Sequence, residues 1–109
     1  MNEQIETHLR KYPKEIADMF TALRQLIYDS ASAELNETMW AKLPSYYVSD
    51  NFVRLIPFKD HINIEAQSII KHKDELSDYK ITPKGMLQIY VNQNIPGDIM
   101  LKVFAEALG

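Results

Sequence analysis

Polar side chains that could do chemistry alternate with isoleucines in one short segment of the sequence. His61, Asn63 and Glu65 are separated by Ile62 and Ile64, a spacing that predicts a β-strand with the polar residues on one face and the isoleucines on the other. An imidazole, an amide and a carboxylate held on one rigid face can bind a small ligand or a metal ion. The same pattern is typical of the solvated face of an antiparallel sheet, so the sequence leaves both interpretations open.

The best metal-ligand candidates of this segment are His61 and Glu65, because imidazole and carboxylate groups both suit ferrous iron. Their spacing along a strand separates them by about 13 Å, so they cannot ligate one ion together, and His61 would need a carboxylate from another element. Solvated carboxylates can also bind hard cations without a closed cage, and Asp74 and Asp78 would share one face of a predicted helix. We therefore predict His61, Glu65, Asp74 and Asp78 as metal candidates, with a solvated surface as the alternative.

Aromatic and polar residues from several predicted strands form a second candidate site. Aromatic walls combined with a cation, an amide and an imidazole are typical of a site for a small anionic or polar ligand. The alternative is that the aromatic side chains only cover the sheet as cross-strand pairs. The predicted ligand-binding residues are Trp40, Tyr46, Lys59, His61 and Gln88, with Tyr90 beside them. They would form a non-catalytic module that binds a small molecule or a peptide.

The sequence contains none of the common catalytic signatures. It has no cysteine nucleophile, no glycine-rich phosphate loop, no His-Glu-x-x-His helix and no Gly-x-Ser-x-Gly elbow. We therefore predict that the protein is not an enzyme. A further possibility is an interaction domain whose exposed sheet edge binds another protein.

Length and composition indicate one globular domain over residues 1–109. Hydrophobic residues make up 46% of the chain and charged residues 25%, which is ordinary for a folded protein. The absence of cysteine excludes disulfides and thiolate metal sites and fits a reducing compartment, so we expect a cytoplasmic protein. The net charge of −3 argues against nucleic acid as a partner.

Hydropathy and the first residues bear on targeting and association. No apolar run approaches the ~20 residues needed to span a bilayer, so we expect no membrane partner. The polar, acidic N-terminus does not resemble a signal peptide. We expect a monomer or a weak homodimer.

Helices are predicted in four segments from apolar spacing and proline positions. Residues 3–12 form the first, and a longer helix with a buried stripe begins near Lys14, just after a proline. A helix over residues 67–77 is inserted among the strands, and Pro96 opens a final amphipathic helix.

Strands are predicted where β-branched and aromatic residues concentrate. The segments are residues 37–48, interrupted by Pro44, then 52–58, 61–65 and 86–91. The resulting order is α-α-β-β-β-α-β-α. It predicts an α+β fold, an antiparallel β-sheet of about four strands with helices packed on one face.

The second half of the chain carries five short motifs in a recognisable order. They are Leu43-Pro44-Ser45-Tyr46, then Phe58-Lys59-Asp60-His61-Ile62, then Glu75-Leu76 with Tyr79, then Lys84-Gly85-Met86-Leu87-Gln88-Ile89, then Ile95-Pro96 with Ile99. In order and spacing they resemble the YdhG-like family, also described as domain of unknown function 1801. The resemblance covers roughly residues 12–108.

This resemblance implies an α+β domain of a bacterial family whose members are described as frataxin-like iron chaperones. Such a protein would bind Fe2+ weakly and transiently as cargo and deliver it to an iron–sulfur cluster assembly protein or to haem synthesis. One departure concerns the first strand, where the family usually has glycine before Met-Pro and this chain has Lys42 before Leu43. A close approach of a ligand to the backbone would be altered at this position.

Overall fold

The computed structural model describes residues 1–109 as three α-helices and one six-stranded antiparallel sheet. Across the sheet the strands are ordered β1-β2-β3-β4-β6-β5. The helices are α1 (Glu3–Leu9), α2 (Lys14–Ser30) and α3 (Gly97–Leu108), and the strands are β1 (Asn36–Trp40), β2 (Leu43–Val48), β3 (Asn51–Pro57), β4 (His61–Glu65), β5 (Lys80–Ile81) and β6 (Leu87–Tyr90). The predicted α+β class is confirmed, while the prediction of about four strands in the order α-α-β-β-β-α-β-α is wrong.

Alternation along the strands directs one set of apolar side chains towards the helices. Leu55 lies opposite Ile64 and Ile62 lies opposite Ile89, so these four residues share one sheet face, and all are fully buried. Helices α2 and α3 pack against each other and against this face, and α1 adds Ile5 to the same core. None of the helices combines the length and apolar character needed to cross a bilayer.

The two long helices form where the apolar spacing predicts them. Pro13 occupies the N-cap of α2 and Pro96 the N-cap of α3, where the missing N–H of proline is tolerated. The buried residues of α2 recur at steps of three and four along the chain, as an amphipathic helix requires. They are Ile16, Met19, Phe20, Leu23 and Ile27.

Residues 37–48, predicted as one extended segment, form the β1–β2 hairpin instead. Two residues connect the strands, and both have left-handed backbone angles: Ala41 has a φ of 49° and Lys42 a φ of 66°. Two-residue hairpin turns of this kind usually contain asparagine or glycine, because these residues tolerate positive φ. This turn contains neither, so the sequence carries no local signal for it.

Pro44 is accommodated by its position in the sheet register. It lies opposite Met39 in β1, while the pairing of β2 with β3 begins only at Ser45. The Trp40–Leu43 pair closes the turn and is a hydrogen-bonded pair. Because hydrogen-bonded and non-hydrogen-bonded pairs alternate along an antiparallel ladder, the next pair, Met39–Pro44, is not hydrogen-bonded and requires no N–H from proline. The same alternation directs the backbone N–H and C=O of Met39 away from β2.

The predicted helix over residues 67–77 is replaced by a 3₁₀ helix, Ile70–His72, followed by turns. Its backbone hydrogen bonds mostly join residues three apart, as between the N–H of His72 and the carbonyl of Ile69 at 2.9 Å. Within this irregular segment Ile69 and Leu76 remain buried while Ile70 is exposed. Ser68 fixes the segment to α3 through a hydrogen bond from its Oγ to the carbonyl of Val103, at 2.5 Å.

A polar cluster at the helix side of β1 joins three elements. The carboxylate of Glu37 accepts hydrogen bonds from Arg24 Nε at 2.5 Å, from Arg24 Nη2 at 3.2 Å and from the backbone N–H of Asn2 at 2.7 Å. Burial alone would raise the pKa of Glu37, but the bonds from Arg24 and Asn2 outweigh it and hold this pKa below its usual value. The cluster thereby ties α1 and α2 to the edge of the sheet.

Tyr46 lies beside this cluster, in the core, and is separated from the other predicted ligand-binding residues. It pairs with Val53 and Glu37 in neighbouring strands, is fully buried, and contacts the edge of the Tyr28 ring with centroids 6.1 Å apart. Burial, followed by the nearby carboxylate of Glu37, raises the pKa of the Tyr46 hydroxyl. The predicted position of Tyr46 was wrong because the hairpin turn, which the pattern did not reveal, determines which residues of β2 face the core.

Replacement of Lys42 by glycine tests the left-handed turn. We expect Lys42→Gly to raise the free energy of unfolding by about 0.5–1 kcal/mol, because relief of the left-handed strain exceeds the added entropy of an unfolded glycine. Thermal unfolding followed by circular dichroism should show a Tm increase of roughly 2–6 °C.

Lys59→Gly is the matched control, since it removes the same charge from a turn residue whose φ is not positive. This variant should be less stable than the parent, because glycine only adds unfolded-state entropy there. Equal destabilisation by both substitutions would contradict the turn geometry.

Candidate functional site

The side of the sheet opposite the helices, which we call the open face, carries most of the polar and aromatic residues with chemical potential. Antiparallel register places His61 opposite Tyr90, Asn63 opposite Gln88, and Glu65 opposite an arginine of β3. The predicted alternation of β4 is therefore confirmed: Ile62 and Ile64 are buried, whereas His61, Asn63 and Glu65 are only partly buried and lie on the other face.

Arg54 organises one half of the open face. Its side chain is 8% exposed, and its guanidinium carbon lies 4.1 Å from the Trp40 ring centroid and 3.8 Å from that of Phe52. Its nitrogens donate to Ser45 Oγ at 3.1 Å and to the Tyr47 hydroxyl at 2.8 Å. We call this group the Arg54 cluster; it satisfies a buried charge by stacking and hydrogen bonds.

Two predicted site residues, Glu65 and Trp40, contact Arg54 and so belong to the Arg54 cluster. Glu65 accepts a hydrogen bond from Arg54 Nη1 at 3.2 Å, so its carboxylate neutralises the arginine. Trp40 covers the guanidinium with one side of its ring and is still 52% exposed. Glu65 is thus held by a cation, while Trp40 keeps a free aromatic surface.

His61 belongs to a separate aromatic group, the His61 stack. Its ring lies on Phe58 with centroids 4.5 Å apart and planes within 10°, and its other neighbour is Tyr90 at 4.8 Å. Its Nδ1 lies 2.7 Å from Asp60 Oδ1. Phe58 remains 41% exposed, so the stack presents a flat aromatic surface at the end of the sheet.

Asn63 occupies the open face between these two groups. Its neighbours across the register are Ile56 on β3 and Gln88 on β6. The side-chain oxygen Oδ1 of Asn63 is buried and accepts no hydrogen bond from the protein. The Gln88 oxygen, by comparison, accepts one from the Tyr90 hydroxyl at 3.4 Å. A buried acceptor without a donor costs about 1–3 kcal/mol, which makes Asn63 the chemically unexplained residue of this face.

The turn between β3 and β4 carries the remaining polar candidates. The backbone N–H of Phe58 donates to the carbonyl of His61 at 2.8 Å, and this bond closes the turn around Lys59 and Asp60. Lys59 is exposed and forms none of the ion pairs of the structure. It lies beside the His61 stack, at the rim of the open face.

The predicted metal ligands do not form one site. Asp74 and Asp78 lie in the turns after the 3₁₀ helix and not on an α-helix, so the helix face that they were predicted to share is absent. The structure contains no group of three or more metal-ligating side chains. Among the predicted metal ligands, only His61 contacts another potential ligand, the carboxylate of Asp60.

The open face is a surface and not an enclosed cavity. Of the three surface cavities, only the smallest includes an open-face residue, Phe52, and the largest, of about 700 Å³, lies between α1 and β1. The predicted ligand-binding set is accordingly divided: Trp40, His61 and Gln88 are on the open face, Lys59 is at its rim, and Tyr46 is in the core.

Sequence reasoning did not single out the two residues that matter most on this face. Arg54 is the one charged residue in the apolar run of residues 52–57, and a charge in such a strand indicates a specific partner. Asn63 shared the alternation of His61 and Glu65 but was not among the predicted ligand-binding or metal-binding residues. Its importance rests on burial, which the sequence pattern does not report.

A second charged cluster, which we call the His72 clasp, joins the 3₁₀ segment to α3. His72 Nδ1 lies 2.7 Å from Glu75 Oε1, His72 Nε2 bonds the carboxylate of Glu106, and Lys71 Nζ lies 3.0 Å from Glu106 Oε1. The bonds to Glu75 and Glu106 raise the pKa of His72, and the same bonds lower the pKa of each carboxyl group. Both ring nitrogens are thus engaged as donors to carboxylates.

Comparison with known proteins gave no match to a family model, to a curated protein sequence or to a solved structure.

The His72 clasp makes the free energy of unfolding depend on pH. The raised pKa of His72 contributes stability that is present below its ordinary value of 6.5 and is lost as pH rises through the folded pKa. The lowered pKa values of Glu75 and Glu106 contribute stability that is present above 4.5 and is lost as pH falls. We expect His72→Gln to destabilise the protein most between these two values, as measured by urea unfolding across pH.

His8→Gln provides a control of opposite sign. Burial and then Lys11 lower the pKa of His8, so charging this histidine in acid destabilises the folded state. His8→Gln should therefore gain stability relative to the parent as pH falls below 6.5. A pH-independent effect of His72→Gln would show that the clasp carries no charge.

Proposed function

We propose that this protein is a non-catalytic binding module whose open face takes a small planar molecule with an N–H donor. The observation that carries the proposal is the buried Oδ1 of Asn63, which has no donor within the protein. Rotation of the Asn63 amide would bring this oxygen to the surface, where a ligand N–H can satisfy it while the ligand's flat body lies against the neighbouring apolar and aromatic side chains.

The surroundings of Asn63 fit such a ligand. Ile56 supplies an apolar wall, Gln88 an amide, and Tyr90 a ring with a hydroxyl group. The His61 stack continues the flat surface towards the end of the sheet. Arg54 is already neutralised by Glu65, so this half of the face offers polarity without an unpaired cation.

The proposal predicts a conflict between stability and binding at Asn63. Replacement by leucine removes the unsatisfied oxygen and keeps the branching of the side chain, so Asn63→Leu should raise the free energy of unfolding by about 1 kcal/mol. The same variant should bind benzamide more than tenfold more weakly, because about 1.4 kcal/mol of hydrogen bonding to the ligand is lost.

Two-dimensional NMR of the parent protein provides the measurement. Benzamide should shift the side-chain amide of Asn63 and the ring protons of His61, whereas N,N-dimethylbenzamide, which lacks an N–H, should not. Thr38→Val, a substitution of another open-face residue, is the matched control and should leave binding unchanged. Equal shifts with both probes, or benzamide binding unaffected by Asn63→Leu, would refute the role of Asn63.

A second candidate function is the weak binding of Fe2+ as cargo, which the sequence resemblance implies. The contact of Asp60 with His61 supports it, because a carboxylate and an imidazole 2.7 Å apart on an exposed turn can share one ferrous ion. Lys42 adds support for the resemblance, since its φ of 66° suits the glycine expected there. In this role the protein would deliver iron, in the cytoplasm, to a partner that assembles iron–sulfur clusters or haem.

Anaerobic calorimetry with ferrous ion distinguishes the two functions. Under the iron proposal the parent should bind with micromolar affinity, and Asp60→Asn should reduce this affinity about tenfold or more while leaving benzamide binding intact. Asn63→Leu should weaken benzamide binding and leave ferrous binding intact. A loss of iron binding only in a combined Asp74→Asn, Asp78→Asn variant would place the ion on the 3₁₀ segment instead.

A further inference from the structure

The largest cavity of the protein is a groove of about 700 Å³ between α1 and the edge of the sheet, which we call the edge groove. One wall is the face of α1 that points away from the core, and the other is β1 with its hairpin turn. Its lining residues are Glu3, Gln4, Thr7, His8, Lys11, Met39 and Lys42. None of these residues takes part in the open-face site.

The wall formed by β1 is an unpaired strand edge. β1 pairs only with β2, and the alternation set by the Trp40–Leu43 pair directs the outward backbone groups of Glu37 and Met39 towards the groove. The side-chain amide of Asn2 donates to the carbonyl of Glu37 at 3.4 Å and so covers one outward acceptor. The backbone N–H and C=O of Met39 remain free to form sheet hydrogen bonds with another extended chain.

Charge is distributed unevenly along the edge groove. Glu3 follows Asn2, whose backbone bonds Glu37, so this acid lies at the beginning of β1. Lys42 lies in the hairpin turn at the other end of β1, and Lys11 follows the far end of α1. Neither lysine belongs to an ion pair of the structure. Unpaired cations beside a free strand edge favour an acidic partner.

We propose that the edge groove binds a short extended segment of a partner protein that carries acidic side chains, added to the sheet as a strand beside β1. The backbone of the segment bonds Met39, and its carboxylates face Lys11 and Lys42. A second copy of the chain fits less well, because its own α1 lies across the groove from β1 and would meet the first α1 there. This site lies apart from Asn63 and is independent of the function proposed for the open face.

Fluorescence anisotropy tests this proposal with a labelled hexapeptide of alternating valine and glutamate, capped at both ends. The full-length protein should bind this peptide and should bind a valine–lysine hexapeptide at least tenfold more weakly, because the lysines of the groove repel it. Affinity for the acidic peptide should fall as salt is added. Equal binding of the two peptides, or no binding of the acidic one, overturns the proposal.

Two double variants test whether Lys11 and Lys42 are the charges that attract the acidic peptide. Lys11→Gln with Lys42→Gln should weaken binding of the acidic peptide about tenfold, as expected for two rim charges. Lys73→Gln with Lys84→Gln removes the same charge from exposed residues outside the groove and should change affinity less than twofold. If both double variants weakened peptide binding equally, the weakening would reflect only the net charge of the protein, and the assigned site would be overturned.

Amide hydrogen exchange on the parent protein tests strand addition without any mutation. The N–H of Met39 points away from β2 and should exchange rapidly in the free protein, then slow at least tenfold when the acidic peptide is saturating. The N–H of Thr38, which points towards β2, should already be protected and should change little. Binding without protection of Met39 overturns strand addition, and Met39→Pro should abolish binding while retaining the β1–β2 pairing.

Analytical ultracentrifugation tests whether a second copy of the chain occupies the edge groove instead. A protein that remains monomeric at high concentration while binding the peptide supports the proposal. A dimer that the acidic peptide cannot dissociate, with Met39 protected in the absence of peptide, would assign the groove to a second copy and overturn it.

Discussion

The register of the antiparallel sheet is the constraint on which the rest of the structure depends. Because side chains alternate with a period of two, a slip of one residue in β4 would exchange Ile62 and Ile64 for His61, Asn63 and Glu65 in the core. Burying an imidazole, an amide and a carboxylate beneath α2 and α3 would be strongly unfavourable without partners. The apolar face therefore determines the register, and the register in turn determines which polar residues meet on the open face.

Two arginines show how charge is handled on the two sides of this sheet. On the helix side, Arg24 bonds Glu37 with two nitrogens and thereby joins α2 to the edge strand. On the open face, Arg54 is covered by aromatic rings and neutralised by Glu65. Each arginine has its own carboxylate, as charges at low exposure require. Asn63 is different, because its buried oxygen has no partner in the protein, and the proposed binding role rests on this contrast.

The edge strand β1 relates the two proposed sites. Trp40 presents its ring to the open face, while the adjacent Met39 directs its backbone into the edge groove. The hairpin turn at Ala41 and Lys42 fixes both orientations, since its left-handed residues determine the twist with which β1 meets β2. A module of this design could hold a small ligand on its face and a partner segment at its edge, and neither would obstruct the other.

The sequence by itself determined the α+β class, the two long helices, the final strand and the alternation of β4, because each of these follows from a local period of apolar residues. It did not reveal the β1–β2 hairpin, whose turn lacks glycine and asparagine, or the 3₁₀ segment, whose apolar spacing is that of an α-helix. Only the tertiary structure decided that Tyr46 is in the core, that Glu65 is bound by Arg54, and that Asn63 is buried without a donor. These outcomes depend on contacts between residues distant in sequence, and a pattern of residue types along one chain does not contain them.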